Sequence, residues 1–156
     1  MNAFPVLVRY RWNDVSNRAW ASVLATLPLF AGIGKRDLRR IAGEAEFSEF
    51  APGDSVVTTG EPSGGFYVIL GGEATARAKP AARTLKTGDY FGEMGLLDGA
   101  PRSASIVATK DLHVMRLSRG AFDAALDRHP TIARRLLTEL GTRVRTLERQ
   151  AARRSN

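Results

Sequence analysis

The 156-residue chain has no cysteine, so disulfides, thiolate metal sites and cysteine nucleophiles are all excluded. It has only two histidines, His113 and His129, and neither stands at a metal-ligand spacing. His113 lies between Leu112 and Val114 and reads as a strand residue. No apolar run opens the chain. Arg9, Arg11 and Asp14 interrupt its beginning, which argues against a secretory signal and a membrane span. A cytoplasmic location is the default that remains. No internal repeat or long linker divides the sequence, and no nucleophile, metal cluster or carboxylate pair makes a recognisable catalytic set. An enzyme is not expected.

What is present fits one soluble globular domain with enough length for a core: 17.0 kDa, 44% hydrophobic and 25% charged residues. The formal net charge of +7 and pI near 10.5 invite an anionic partner, whether nucleic acid, lipid headgroups or a small phosphate ligand. Much of the excess is arginine near the C-terminus, at Arg143, Arg145, Arg149, Arg153 and Arg154. Its plain reading is a solvated helix face followed by a basic tail over 151–156. No aromatic residues interleave it, which sets a nucleic-acid role behind the others.

Residues 1–15 show no period and read as a loose arm ahead of a single domain over 16–150. Ser16 or Asn17 can cap a helix through Leu27, with Trp20, Val23, Leu24 and Leu27 on one face. Pro28 ends it. A second helix, Lys35 to Ala42, turns Leu38 and Ile41 inward. From Phe47 the period changes to two. Runs at Phe47–Ala51, Ser55–Thr58, Phe66–Leu70 and Ala74–Ala78 alternate with glycine- and proline-bearing turns, and 84–86, 106–108 and 112–117 supply further strands. Ser118 caps a helix to about Asp127. Pro130 opens a last one whose Ile132, Leu136, Leu137, Leu140, Val144 and Leu147 fall on one arc of roughly 140°. Arg143 projects inside that arc and needs a partner or a route to solvent. The pattern is mainly β with flanking α: a β-roll, jelly-roll-like, with N-terminal and C-terminal helices.

The densest chemistry lies in Tyr90-Phe91-Gly92-Glu93-Met94-Gly95-Leu96-Leu97 and the following Pro101-Arg102-Ser103-Ala104. Gly92 and Gly95 allow a ligand close to the backbone, and N–H groups opening a helical turn attract anions. Arg102 offers a planar fork of donors for a phosphate, and Ser103 a hydroxyl. Ionised Glu93 only accepts, which suits a sugar hydroxyl. Together they suit a ligand carrying both phosphate and ribose. Asp89 and Asp98 read as turn residues beside the site, and Phe66 and Tyr67 as core.

These residues, with Pro52-Gly53-Asp54, Gly60-Glu61 and Phe66-Tyr67-Val68-Ile69-Leu70 before Gly72, resemble the cyclic-nucleotide-binding domain family from about Leu27 to Arg145. The resemblance implies that Glu93 takes the ribose 2′-hydroxyl with help from the Gly92 backbone. It implies that Arg102 pairs with the cyclic phosphate, helped by Ser103 and the Ala104 N–H. Arg143 matches a position where some members place a pocket-facing arginine. Gly95 stands where alanine is common, which is expected only to loosen the turn. The last helix is apolar or acidic near Leu147 and Glu148, where some bacterial activators contact the base.

The resulting expectation is a sensor for cAMP, on the family's bacterial pattern, with cGMP possible, that moves its terminal helices on binding. No cofactor is implied. Its partner would be a protein effector or a second copy meeting the terminal helices. Only Gln150 to Asn156 are expected after the last helix, too little for a helix-turn-helix DNA reader. Two other readings stand beside it: a β-roll interaction module without ligand, and a basic-tail binder of nucleic acid or anionic membrane.

Overall fold

The computed structural model describes residues 17–77 and 82–156. The N-terminal arm, Ser16 and Ala78 lie outside the described residues. Helix α1 (Asn17–Ala25) is followed by a 3-10 turn at Pro28–Phe30 and by α2 (Lys35–Gly43). Helix α1 ends two residues earlier than expected, and Leu27 leads into the 3-10 turn with its side chain still buried. Trp20, Leu24, Leu38 and Ile41 pack inward as their helical spacing requires.

Eight strands follow: β1 (Glu46–Phe50), β2 (Ser55–Val57), β3 (Gly65–Gly71), β4 (Glu73–Arg77), β5 (Arg83–Lys86), β6 (Tyr90–Phe91), β7 (Ser105–Ala108) and β8 (Leu112–Ser118). The short helix α3 (Glu93–Asp98) sits between β6 and β7. Helices α4 (Arg119–Arg128) and α5 (Pro130–Arg154) close the chain. The described strands form two antiparallel four-stranded sheets, ordered β1-β8-β3-β6 and β2-β7-β4-β5. This is the expected β-roll with helices at both ends. The two-residue strand β6 is the one that periodicity did not reveal, because two residues are too few to show alternation.

The continuous apolar run of β3 has a direct cause. Alternate side chains leave opposite faces of a strand, and here both faces are covered. Phe66 and Val68 join Met115 and Leu117 of β8 in a core shared with the helices. Tyr67 and Ile69 join Leu112 and Val114 in a second core between the sheets. Residues Tyr90 and Phe91 divide in the same way, one into each core. His113 lies in β8 as expected, with Nδ1 4.0 Å from Glu49.

The C-terminal helices begin where their caps predict. Ser118 Oγ accepts from the Ala121 N–H at 3.2 Å, and Pro130 occupies the first turn of α5. Two expectations need correction. Helix α5 continues to Arg154, so most of the basic segment is helical rather than a tail. Only the inner edge of the apolar arc is covered: Ile132 and Leu136 are buried, whereas Leu137, Val144 and Leu147 are 67%, 53% and 55% exposed. The roll is narrower than the arc, so the helix face beyond Leu136 outruns it.

Candidate functional site

Helix α3 starts at a sharp backbone turn. Gly92 is its N-cap with φ +93°, and a Cβ there would lie 2.3 Å from the Gly65 carbonyl oxygen. No L side chain fits that conformation and that space. The turn drives the next side chain, Glu93, into the protein, where it is 2% exposed. A buried carboxylate is costly unless it is paired. Its partner is Arg143 of α5, whose Nη1 donates to Glu93 Oε1 at 2.9 Å. The cation on the apolar arc is therefore turned into the site rather than out to solvent. Arg143 Nε is buried and has no hydrogen-bond partner among the described residues.

Arg102 is held by its backbone. Its N–H donates to Glu61 O at 2.9 Å, and its carbonyl accepts from the Gly60 N–H at 3.0 Å. The turn of residues 60–65 thus serves as a clamp on the 101–104 loop, a role that glycine content alone did not reveal. The guanidinium lies 5.5 Å from the centre of the Tyr67 ring, which stacks on Phe91 at 4.8 Å and 3°. Tyr67 lies in the core as expected, and its ring also faces Arg102. The signal was available in the alternation of β3, since Tyr67 faces away from Phe66.

Glu93, Arg102, Ser103, Ala104 and Arg143 line one pocket together with Gly92. All six residues proposed from the sequence are brought together. Its apolar walls come from Val57, Ala76, Leu85, Phe91 and Ile106, with Arg83 and Ser63 beside them, and Met94 and Gly95 of α3 also line it. None of the first seven except Phe91 belongs to the motif, since their strands meet only in the folded roll. Asp98 and Asp89 act as turn residues: Asp98 Oδ1 accepts from the Ala100 N–H at 2.9 Å, and Asp89 Oδ2 from the Lys86 N–H at 2.8 Å.

Helix α5 is tied down by three side chains one turn apart. Arg135 donates to Leu29 O at 2.8 Å and to Ala31 O at 2.7 Å. Glu139 accepts from the Tyr90 hydroxyl, and Arg143 reaches Glu93. Burial, the hydrogen bond to Glu139 and the nearby carboxylates hold the Tyr90 phenol well above its ordinary pKa, with Arg143 acting the other way. Tyr90 therefore stays a neutral donor. On the opposite side, Arg119 of α4 donates to Leu96 O at 3.0 Å, capping a carbonyl of α3. Among the described residues, no group of histidine, aspartate and glutamate could hold a metal ion, and no helix is long and apolar enough to cross a membrane.

Comparison with known proteins agrees with this geometry. The chain is 36% identical over 110 residues to a cAMP-dependent protein kinase regulatory subunit of Hypocrea atroviridis, covering 70% of this chain and 24% of that protein. It thus spans about a quarter of that relative's length. Among solved structures it is similar to PKAR CBD2 bound to Sp-2Cl-cAMPS, with a TM-score of 0.74, 23% identity, and coverage of 85% of this chain and 92% of that one. It is also similar to the Thermus thermophilus catabolite activator protein, with a TM-score of 0.70, 28% identity, and coverage of 80% and 61%. Both have the same fold of roll and flanking helices. A family model, that of the cyclic nucleotide-binding domain, matches residues 47–129, which include the clamp, α3 and the Arg102 loop. The chain belongs to the cyclic nucleotide-binding domain family.

Proposed function

We propose that this chain senses a cyclic nucleotide, cAMP with cGMP admitted, and converts binding into movement of its terminal helices. The observation that carries the reading is that one apolar-walled pocket is lined by both the buried Glu93 and the clamped Arg102. Arg102 takes the cyclic phosphate, with Ser103 and the Ala104 N–H beside it. Glu93 takes the ribose 2′-hydroxyl, and Gly92 lets the sugar approach. Arg143 engages Glu93 Oε1, which leaves Oε2 for the hydroxyl. The cAMP-dependent relatives support the choice of ligand class. The sequence relative named above is fungal, which weighs against the bacterial pattern.

The site is assigned no reaction, because its groups bind and orient without a nucleophile placed to attack. The functional unit is residues 16–150, acting in the cytoplasm on a protein effector through α5. Ligand at Glu93 meets α5 through Arg143, so the helix position and the ligand are linked. Such linkage shifts a population only by the ligand's differential affinity for the two states.

Calorimetry with cAMP and cGMP on the wild type and on Arg102→Ala tests the reading. A charge-assisted hydrogen bond to phosphate contributes about 1.5–3 kcal/mol. The variant should bind roughly 10- to 150-fold more weakly while retaining its circular dichroism. Unchanged affinity in the variant, or no binding by the wild type, refutes the assignment.

A further inference from the structure

The clamp on Arg102 holds its backbone and leaves its side chain to be placed by something else. Gly60 and Glu61 fix the Arg102 N–H and carbonyl, but the guanidinium stands at the end of a long flexible stem. Among the described residues, no ion pair and no side-chain hydrogen bond engages that guanidinium. It meets the ring of Tyr67, whose centre lies 5.5 Å from Arg102 Cζ. A ring face attracts a cation within about 6 Å. We infer that Tyr67 is a positioning residue, whose ring face holds the Arg102 guanidinium in the orientation that receives the phosphate. This inference rests on the cyclic-nucleotide reading.

The ring is itself held still. Tyr67 is buried and stands directly across from Phe91 in the register of β3 and β6. The two rings stack at 4.8 Å and 3°. Phe91 lines the pocket and runs straight into Gly92 and Glu93. One stack therefore borders both groups that meet the ligand: Arg102 lies over Tyr67, and Glu93 follows Phe91 along the chain. Residue 67 ties the phosphate side of the pocket to the strand that carries the ribose side.

A ring in this place differs from an acid in what it consumes. A carboxylate would accept hydrogen bonds from the guanidinium fork and compete with a phosphate for the same donors. An aromatic face attracts the cation through its quadrupole and leaves the N–H groups unused. Arg102 is oriented while its donors stay free. Without that attraction the guanidinium spreads over more rotamers. Apparent affinity then falls with the fraction that remains in the binding orientation.

The test replaces Tyr67 by phenylalanine, and by a ring-fluorinated phenylalanine that keeps the shape but withdraws negative potential from the ring face. Calorimetry with cAMP is run on each ring with Arg102 present and with Arg102→Ala, and thermal unfolding checks the packing. Tyr67→Phe should bind within about twofold of wild type, since either ring attracts a cation. The fluorinated ring should bind roughly threefold to thirtyfold more weakly. With Arg102→Ala the two rings should bind alike, because the cation they act on is gone. A loss that came only through packing on Phe91 would persist in that background. Such persistence, or equal affinity of the two rings beside Arg102, overturns the inference and leaves the sensor reading standing. A wild type that binds no cyclic nucleotide overturns both.

Discussion

A Cβ added to Gly95 would lie 1.8 Å from Ser63 Oγ and 2.4 Å from Ser63 Cβ. Rotating Ser63 removes the first clash but not the second. The glycine therefore does not loosen the turn, as the sequence suggested, but makes room for the 60–65 loop to press against α3. Ser63 Oγ uses that proximity to donate to Ala100 O at 3.0 Å. Gly95→Ala should cost about 1–3 kcal/mol, the usual range for overpacking. Urea unfolding should show this as a lower midpoint at unchanged slope, and Ser63→Gly in the same chain should recover part of it. A neutral Gly95→Ala would mean that the loop yields freely. The same loop clamps Arg102, so residue 95 also acts on the site through Ser63 and the loop that carries it.

Among the elements, α5 decides how the site is covered. Its first two turns are anchored by Ile132 and Leu136 in the core and by Arg135 on two carbonyls of the 28–31 turn. Beyond them it is held by Glu139 and Arg143, and from Val144 onward its apolar residues face solvent. Arg135 supports the hold of α5 at the end away from the pocket. Arg135→Ala removes two charge-assisted bonds, each typically worth about 1.5–3 kcal/mol and less here because the group is partly exposed. Hydrogen exchange in residues 137–150 should accelerate at least severalfold, with β3 and β8 unchanged. Equal protection in α5 would show that the hydrophobic contacts alone hold it. The start of this helix was legible in Pro130 and its face in the apolar period. Its covered length was not, since periodicity gives a face but not the extent of the surface beneath it.

For the whole molecule, ligand binding and stability are one equilibrium. A ligand at one hundred times its dissociation constant stabilises the native state by about 2.7 kcal/mol. At roughly 2–4 °C per kcal/mol for a domain of this size, cAMP should raise the unfolding midpoint by about 5–11 °C. Arg102→Ala should lose about half or more of that rise at the same concentration. A midpoint indifferent to cyclic nucleotide in the wild type would contradict the proposed site. The net charge of +7 favours an anionic ligand in general but does not choose it. That choice lies in the pocket.

Local chemistry was enough to determine much of this protein. The strand periods, the turn glycines, the caps at Ser118 and Pro130 and the Gly-Glu and Arg-Ser pairs all act within a few residues of themselves, so the sequence could show the roll and the core of the site. Tertiary structure decided what depends on distant segments meeting. It turned Arg143 into Glu93 from fifty residues away, set Tyr67 beneath Arg102, and closed the 60–61 backbone on the Arg102 loop. It also placed Arg83 on the pocket wall through two strand registers. At the stretch around Glu93, the motif specifies the groups that bind. Only the packed chain determines which of their charges is already satisfied and which is left for a ligand.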